Sequence, residues 1–115
     1  SDDPEFSDFA HPSVINIEDT VQIAISTGGK SPAMARKLKI KSEKFFRSLI
    51  TKNDLAEIKL QKFARDIAKQ KLSTPIERKK FLYSVLNDKH VKELLKDEKY
   101  TSAKTRVKKM LGERR

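Results

Sequence analysis

The sequence has no cysteine and no tryptophan among its 115 residues, only two histidines, and only three glycines and four prolines. Without cysteine there is no disulfide framework, no cysteine-held zinc finger and no thiol nucleophile. The two histidines, His11 and His90, belong to no HExxH motif, and no Ser-His-Asp signature surrounds them. Long apolar runs are missing too. Nothing approaches the roughly eighteen consecutive apolar residues of a membrane span, and the first residues contain no apolar signal-peptide core. The expectation is a cytoplasmic protein with no membrane partner. The first twenty residues also lack positive charge: Asp2, Asp3, Glu5, Asp8, Glu18 and Asp19 stand there without a single Lys or Arg.

What is present in quantity is charge. Hydrophobic and charged residues each make up 37% of the chain, which is too apolar for a disordered tail and very polar for an isolated compact domain. The net charge is +10, yet all 26 basic residues follow residue 20. Such a body attracts polyanions, whether nucleic acid, a membrane surface or a small molecule bearing many carboxylates, and charge alone does not choose among them. A chain of this length forms one domain or a piece of a larger protein, with a modest core.

The pattern along the chain is a short β region followed by helices. Residues 1–12, SDDPEFSDFAHP, read as an acidic loop with Phe6 and Phe9 as apolar anchors. Residues 13–17 and 21–26 are β-rich runs joined by Glu-Asp-Thr, a hairpin-length loop, with Val21, Ile23 and Ile25 sharing one face. After Gly28 and Gly29 the periodicity turns helical. A first helix is expected from Pro32 to about Ile50, with Met34, Leu38, Phe45 and Leu49 as its apolar stripe. A second, from about Asn53 to Lys71 and capped by Asn53 or Asp54, buries Ala56, Leu60, Phe63, Ala64 and Ile67. Thr74, Pro75 and Glu77 form a capping box that opens a third helix burying Phe81, Leu82, Val85 and Leu86. Asp88 caps a short fourth with Val91, Leu94 and Leu95, and a fifth runs from about Ser102 to Leu111 with Gly112 at C′. The fold class is therefore α+β, mostly α: a hairpin and a small helical bundle. Two strands alone are marginal in water, so the hairpin needs a partner, either upstream sequence or a second subunit. The chain is expected to be the C-terminal portion of something longer.

The stretch Gly29-Lys30-Ser31 imitates the end of a P-loop. The glycine that a P-loop needs five positions earlier is replaced by Ala24, and Pro32 follows the serine with no N–H to offer a phosphate. The nucleotide-triphosphate reading therefore fails. What remains is a strand, a double-glycine turn and a marked helix start, with Ser31 as N-cap and Pro32 at the first helical position. A helix start of this kind exposes backbone N–H groups and a positive dipole end, which suits a carboxylate.

The order DDPEFSDFAHPSV, hairpin, then AISTGGKSPAMAR resembles the second half of the precorrin-2 dehydrogenase and sirohydrochlorin ferrochelatase family, the siroheme synthase dehydrogenase module. Ala24, Ile25, Ser26, Thr27, Gly29, Ser31, Pro32, Ala35 and Arg36 match that family's segment, and the likeness covers residues 1 to about 45. It implies an NAD-dependent enzyme oxidising precorrin-2 to sirohydrochlorin, usually a homodimer, with iron insertion as a further activity in some members. It also implies that residues 1–12 are the last connection of a dinucleotide-binding domain, 13–48 a dimerisation segment and 49–115 a C-terminal helical domain. The family's glycine fingerprint for NAD and its catalytic aspartate are not in this chain, so no catalytic, cofactor or metal residue is assigned, and the fragment alone is expected to be inactive.

The resemblance places Ser31 at the tetrapyrrole cleft, with Lys30, Gly29, Gly28, Thr27 and Arg36 around it as substrate-binding candidates. Each has a plainer reading. Ser31 can be only an N-cap, Lys30 and Arg36 only solvated bases, and the two glycines only turn residues needing positive φ. His11 and His90 read as loop and surface residues. Asp2, Asp3, Glu5 and Asp8 lack the glycine and spacing of a calcium loop. The alternatives to the dehydrogenase reading are a basic helical module that binds nucleic acid, opposed by the interspersed acids and scarce aromatics, and a dimerisation scaffold with no ligand.

Overall fold

The structure, a computed structural model, describes residues 12–114. The acidic stretch, Phe6, Phe9 and His11 lie outside the described residues. The elements are β1 (Ser13–Ile17), β2 (Val21–Ile25), α1 (Pro32–Leu49), α2 (Lys52–Lys71), α3 (Pro75–Leu86), α4 (Lys89–Lys96) and α5 (Tyr100–Gly112). The described residues divide into two compact units, one ending at Thr51 and the other beginning at Lys52. No helix among the described residues is long and apolar enough to cross a membrane.

In the first unit β1 and β2 pair antiparallel, with Ile15 opposite Ile23 and Ile17 opposite Val21. Directly opposed residues share a face. This puts the apolar side of both strands together, with Ile15 and Ile17 buried and Val21, Ile23 and Ile25 half-buried. The connecting loop is tight: Glu18 and Asp19 both take positive φ, 48° and 54°. The Asn16 side chain holds them, donating to the Asp19 carboxylate at 2.8 Å and accepting the Asp19 N–H at 3.0 Å. Helix α1 packs on the hairpin, and Arg47 donates both to the Asn16 carbonyl (3.2 Å) and to Glu43 one turn back (2.6 Å).

The first correction concerns α1. Its expected apolar stripe is not covered within this unit: Met34, Leu38, Phe45 and Leu49 are 45%, 39%, 62% and 57% exposed. The hairpin covers a different side of the helix, where Ala35 is buried and Ser42 and Phe46 are half-buried. Periodicity found the stripe correctly but could not say which neighbour it meets. The helix also ends at Leu49, one residue short of the expectation, with Ile50 extended as its C-cap.

The second unit is a four-helix cluster around one apolar core built from Leu60, Ala64, Ala68, Phe81, Val85, Val91, Leu95, Ala103, Val107 and Leu111. Ala64, Ala68 and Ala103 have no exposed surface, and small side chains of this kind let helix backbones approach at the short end of the usual spacing. Phe81 fills the centre with no solvent exposure. Burying a side chain of that size contributes roughly 1.5–3 kcal/mol. Ala56, Phe63, Ile67, Leu82 and Leu94 pack at the edge of the core. Leu86, expected inside, is 37% exposed because α3 ends there.

The helix ends follow from specific caps. Thr74 accepts the Glu77 N–H at 3.1 Å, and its hydroxyl donates to the Glu77 carboxylate at 2.8 Å, so the box is closed between the two side chains. Asp88 accepts the Val91 N–H at 2.9 Å and receives both arms of Arg106 from α5, at 3.2 and 3.0 Å. The Arg106 hydrogen bonds hold the Asp88 carboxyl below the usual carboxylate range, against the opposing pull of desolvation.

Two cap expectations are corrected. Helix α2 starts at Lys52, so Asn53 and Asp54 lie inside its first turn, where Asp54 faces the positive end of the dipole. Gly112 is the last helical residue of α5 and is absent from the positive-φ positions, and Glu113 closes the helix in the right-handed region. The left-handed cap occurs elsewhere. Glu98, with φ 58°, follows α4, while the Lys99 N–H reaches the Leu94 carbonyl at 2.8 Å and the Glu98 N–H reaches Leu95 at 3.0 Å. This is a Schellman closure with a glutamate at the position that usually holds glycine. The fifth helix accordingly begins at Tyr100, two residues before the expected Ser102.

Candidate functional site

Between β2 and α1 the chain must reverse within six residues, 26–31, and the sequence supplies what that needs. Gly28 and Gly29 both adopt positive φ, 67° and 78°, where a Cβ would be strained. The Ser26 hydroxyl accepts the Gly28 N–H at 3.1 Å, and the Thr27 carbonyl accepts the Lys30 N–H at 3.3 Å. The Thr27 hydroxyl accepts the Ser31 N–H at 2.8 Å. Ser31 is the N-cap in extended conformation, its hydroxyl accepting from Met34 at 3.0 Å and its carbonyl from Ala35 at 3.1 Å.

The amide accounting matters for chemistry. Three of the six donors of the turn, those of Gly28, Lys30 and Ser31, are consumed internally, and Pro32 contributes none. Among the described residues the N–H groups of Gly29 and Ala33 have no partner. With the positive end of an 18-residue helix behind them, they suit a carboxylate or phosphate oxygen.

Ser26, Thr27, Gly28, Gly29 and Ser31 thus come together in one turn. Lys30 is exposed beside it, and Arg36 is exposed one turn into α1, neither in an ion pair among the described residues. His90 is exposed near the start of α4, in the other unit. Sequence reading missed the locking roles of Ser26 and Thr27, whose spacing to Gly28 and Ser31 is the signature of hydroxyl-to-backbone turns. The recess at the turn, lined by Ser13, Ile25, Thr27, Gly29, Pro32 and Ala35 among others, measures only 70 Å³. That is well below the roughly 300–1,000 Å³ of a pocket that encloses an organic ligand. The turn can therefore contact one edge of a ligand and cannot enclose it.

Comparison with known proteins falls on this same segment. Residues 19–40, from the hairpin loop through β2 and the turn into α1, match the family model described as sirohaem biosynthesis protein central. The siroheme synthase of Neisseria meningitidis serogroup C is 33% identical over 110 residues, covering 96% of this chain and 22% of that protein. Siroheme synthase 2 of Aeromonas salmonicida is 32% identical over 104 residues, covering 90% and 21%. Siroheme synthase 2 of Aeromonas hydrophila is 36% identical over 80 residues, covering 70% and 16%. The chain belongs to the siroheme synthase family. It spans about a fifth of the length of the curated siroheme synthases it matches. No solved structure matches it. Within the family likeness the matched segment is the one that holds the capped serine and the paired glycines, and the relatives' similarity continues beyond it through the helical unit.

Proposed function

We propose that this chain is the central part of a siroheme synthase acting in tetrapyrrole biosynthesis, and that its Ser31 turn holds a carboxylate edge of the precorrin-2 or sirohydrochlorin macrocycle. The observation that carries the reading is the turn itself: a serine-capped helix start with unpartnered Gly29 and Ala33 amides, inside the segment that matches the family model. The reaction proposed for the whole enzyme is the NAD-dependent oxidation of precorrin-2, with iron as a substrate if a chelatase step follows. The residues present here do not fit the dinucleotide. The two glycines are adjacent, the turn lacks the G-x-G-x-x-G spacing, and its recess is far too small for a pyrophosphate with its riboses. No step through NAD is assigned to this chain. Its part is to orient a substrate edge, with Lys30 and Arg36 as mobile countercharges.

The exposed stripe of α1 supports a second element of the reading, a homodimer in which another copy covers Met34, Leu38, Phe45 and Leu49. A lone two-stranded sheet with one helix is marginal, and a second subunit would supply the apolar surface it lacks.

The deciding experiment separates Ser31 as cap from Ser31 as substrate contact. In the full-length enzyme, Ser31→Asp keeps a strong N-cap while placing a negative charge at the turn. Ser31→Ala removes the cap. If the turn holds a carboxylate, Ser31→Asp leaves thermal stability within a few tenths of a kcal/mol of wild type. It weakens sirohydrochlorin binding by roughly tenfold or more, a charge-assisted hydrogen bond being worth about 1.5–3 kcal/mol. Binding unchanged in Ser31→Asp refutes the role.

A further inference from the structure

A broad concavity lies in the second unit, where the first turn of α2 meets the end of α4 and the start of α5. It measures 840 Å³, inside the roughly 300–1,000 Å³ range of organic-ligand sites. Its apolar lining comes from Ala56, Leu95 and Tyr100. Its rim carries Lys52, Lys92 and Lys96, and none of the three is in an ion pair among the described residues. Lys92 and Lys96 stand one helical turn apart on α4, a like-charge spacing that opposes the helix unless an anion lies between them. Two acids also reach the rim. They are Glu57, which accepts from the Asn53 side-chain amide at 3.2 Å, and Glu98, so the lining sets three ammonium groups against two carboxylates and keeps a positive excess. Glu98 is also the non-glycine residue held in the left-handed region. Tyr100 is half-buried, and burial raises its hydroxyl pKa, so it presents a neutral O–H donor and an aromatic face throughout the physiological range.

We propose that this cleft binds an amphipathic organic anion, a molecule with a flat apolar body resting on Leu95 and Tyr100 and an acidic group held by Lys92, Lys96 and Lys52. The apolar lining supplies the area and the three unpaired ammonium groups select the charge, since an anion relieves their mutual repulsion where a neutral or cationic molecule does not. The inference is independent of the Ser31 turn, which belongs to the other unit.

The test uses anilinonaphthalene sulfonate as probe, with phenylnaphthylamine, the same ring system without the sulfonate, as its uncharged counterpart. Fluorescence titration gives the affinities, and amide chemical shifts of the labelled chain give the location. The cleft predicts saturable binding of the sulfonate with the largest shifts at Ala56, Leu95 and Tyr100, and binding of the uncharged ring weaker by about fivefold or more. Lys92→Glu with Lys96→Glu, both on exposed positions, weakens sulfonate binding by a similar factor, while Lys79→Glu with Lys80→Glu on α3 leaves it unchanged. Circular dichroism confirms that both variants are folded. Shifts centred on the α1 stripe, equal binding of the two probes, or indifference to the α4 charge reversal each overturn the proposal.

Discussion

Replacing Asp88 tests how the helical unit is held together, because that one carboxylate performs two separable tasks. It caps α4 through the Val91 N–H and it receives both arms of Arg106 from α5, with only 15% of its side chain and 25% of the arginine's left exposed. Asn is as good an N-cap as Asp but carries no charge. Asp88→Asn therefore removes the ion pair alone and is expected to cost roughly 1–2 kcal/mol, a charged pair of this partial exposure lying between a surface bridge and a buried one. Asp88→Ala removes the cap as well and adds about 1 kcal/mol. In a unit of this size each kcal/mol lowers the midpoint by roughly 4–8 °C.

The assay can isolate the unit, because the chain has no tryptophan and both tyrosines, Tyr83 and Tyr100, lie within it. Tyrosine emission during urea or thermal unfolding thus reports on the bundle alone. The pH dependence gives the sign. The folded carboxyl is held below its unfolded value of about 3.9, so its contribution is fully present above that value and is lost as pH falls through the lower folded one. The stability gap between wild type and Asp88→Asn should be constant from about pH 5 to 8 and should close below pH 4. Equal destabilisation by Asn and Ala, or a gap that persists at pH 2, would refute the assignment of the two tasks.

Other expectations follow from the same geometry. Glu98→Gly places the residue best suited to φ 58° at the end of α4 and should raise the tyrosine-monitored stability by about 1 kcal/mol; a loss would show that the glutamate side chain contributes more than its backbone costs. Phe81→Ala empties the centre of the bundle and should cost roughly 3–5 kcal/mol, enough to leave the unit mostly unfolded at 37 °C. A near-native urea midpoint would contradict the packing. Leu38→Glu with Phe45→Glu on α1 should convert a dimer to a monomer in sedimentation analysis while leaving the tyrosine unfolding transition unchanged, since both residues are exposed within their own unit. A wild-type chain that sediments as a monomer at all concentrations would remove the dimer proposal.

Helix existence was legible wherever a cap or a proline declared itself. Ser31-Pro32, Thr74-Pro75 and Asp88 each start a helix where the sequence said they would, because the side chain and the amide it satisfies are three residues apart and need no tertiary help. The errors lie where the decision was not local. Asn53 and Asp54 resemble caps, yet α2 begins one residue before them. Gly112 resembles a C′ residue, yet it is itself the last residue of the helix, and the left-handed position went to Glu98, whose side chain gives no such signal. The α1 stripe shows the same limit at the level of packing. Periodicity identifies an apolar face and is silent about whether the face meets the same chain or another.

The turn at 26–31 was legible for a different reason, and the reason explains how a short segment can carry a family likeness. Its conformation is over-determined by residues that each solve a local problem: positive φ at Gly28 and Gly29, amide acceptors at Ser26 and Thr27, a missing donor at Pro32 and a cap at Ser31. The Ser26 and Thr27 hydroxyls satisfy the Gly28 and Ser31 amides, so the unpartnered Gly29 and Ala33 amides belong to a turn that is pinned by its own hydrogen bonds rather than to a loose loop. A preorganised pair of donors binds one anionic group with little reorganisation, whereas a floppy loop would lose that advantage to ordering entropy. The recess beside them is too small to do more, so on the proposed reading specificity for a large polycarboxylate comes from surfaces outside this turn. On the proposed reading, the segment is a fixed reference edge against which the rest of a siroheme synthase site is built.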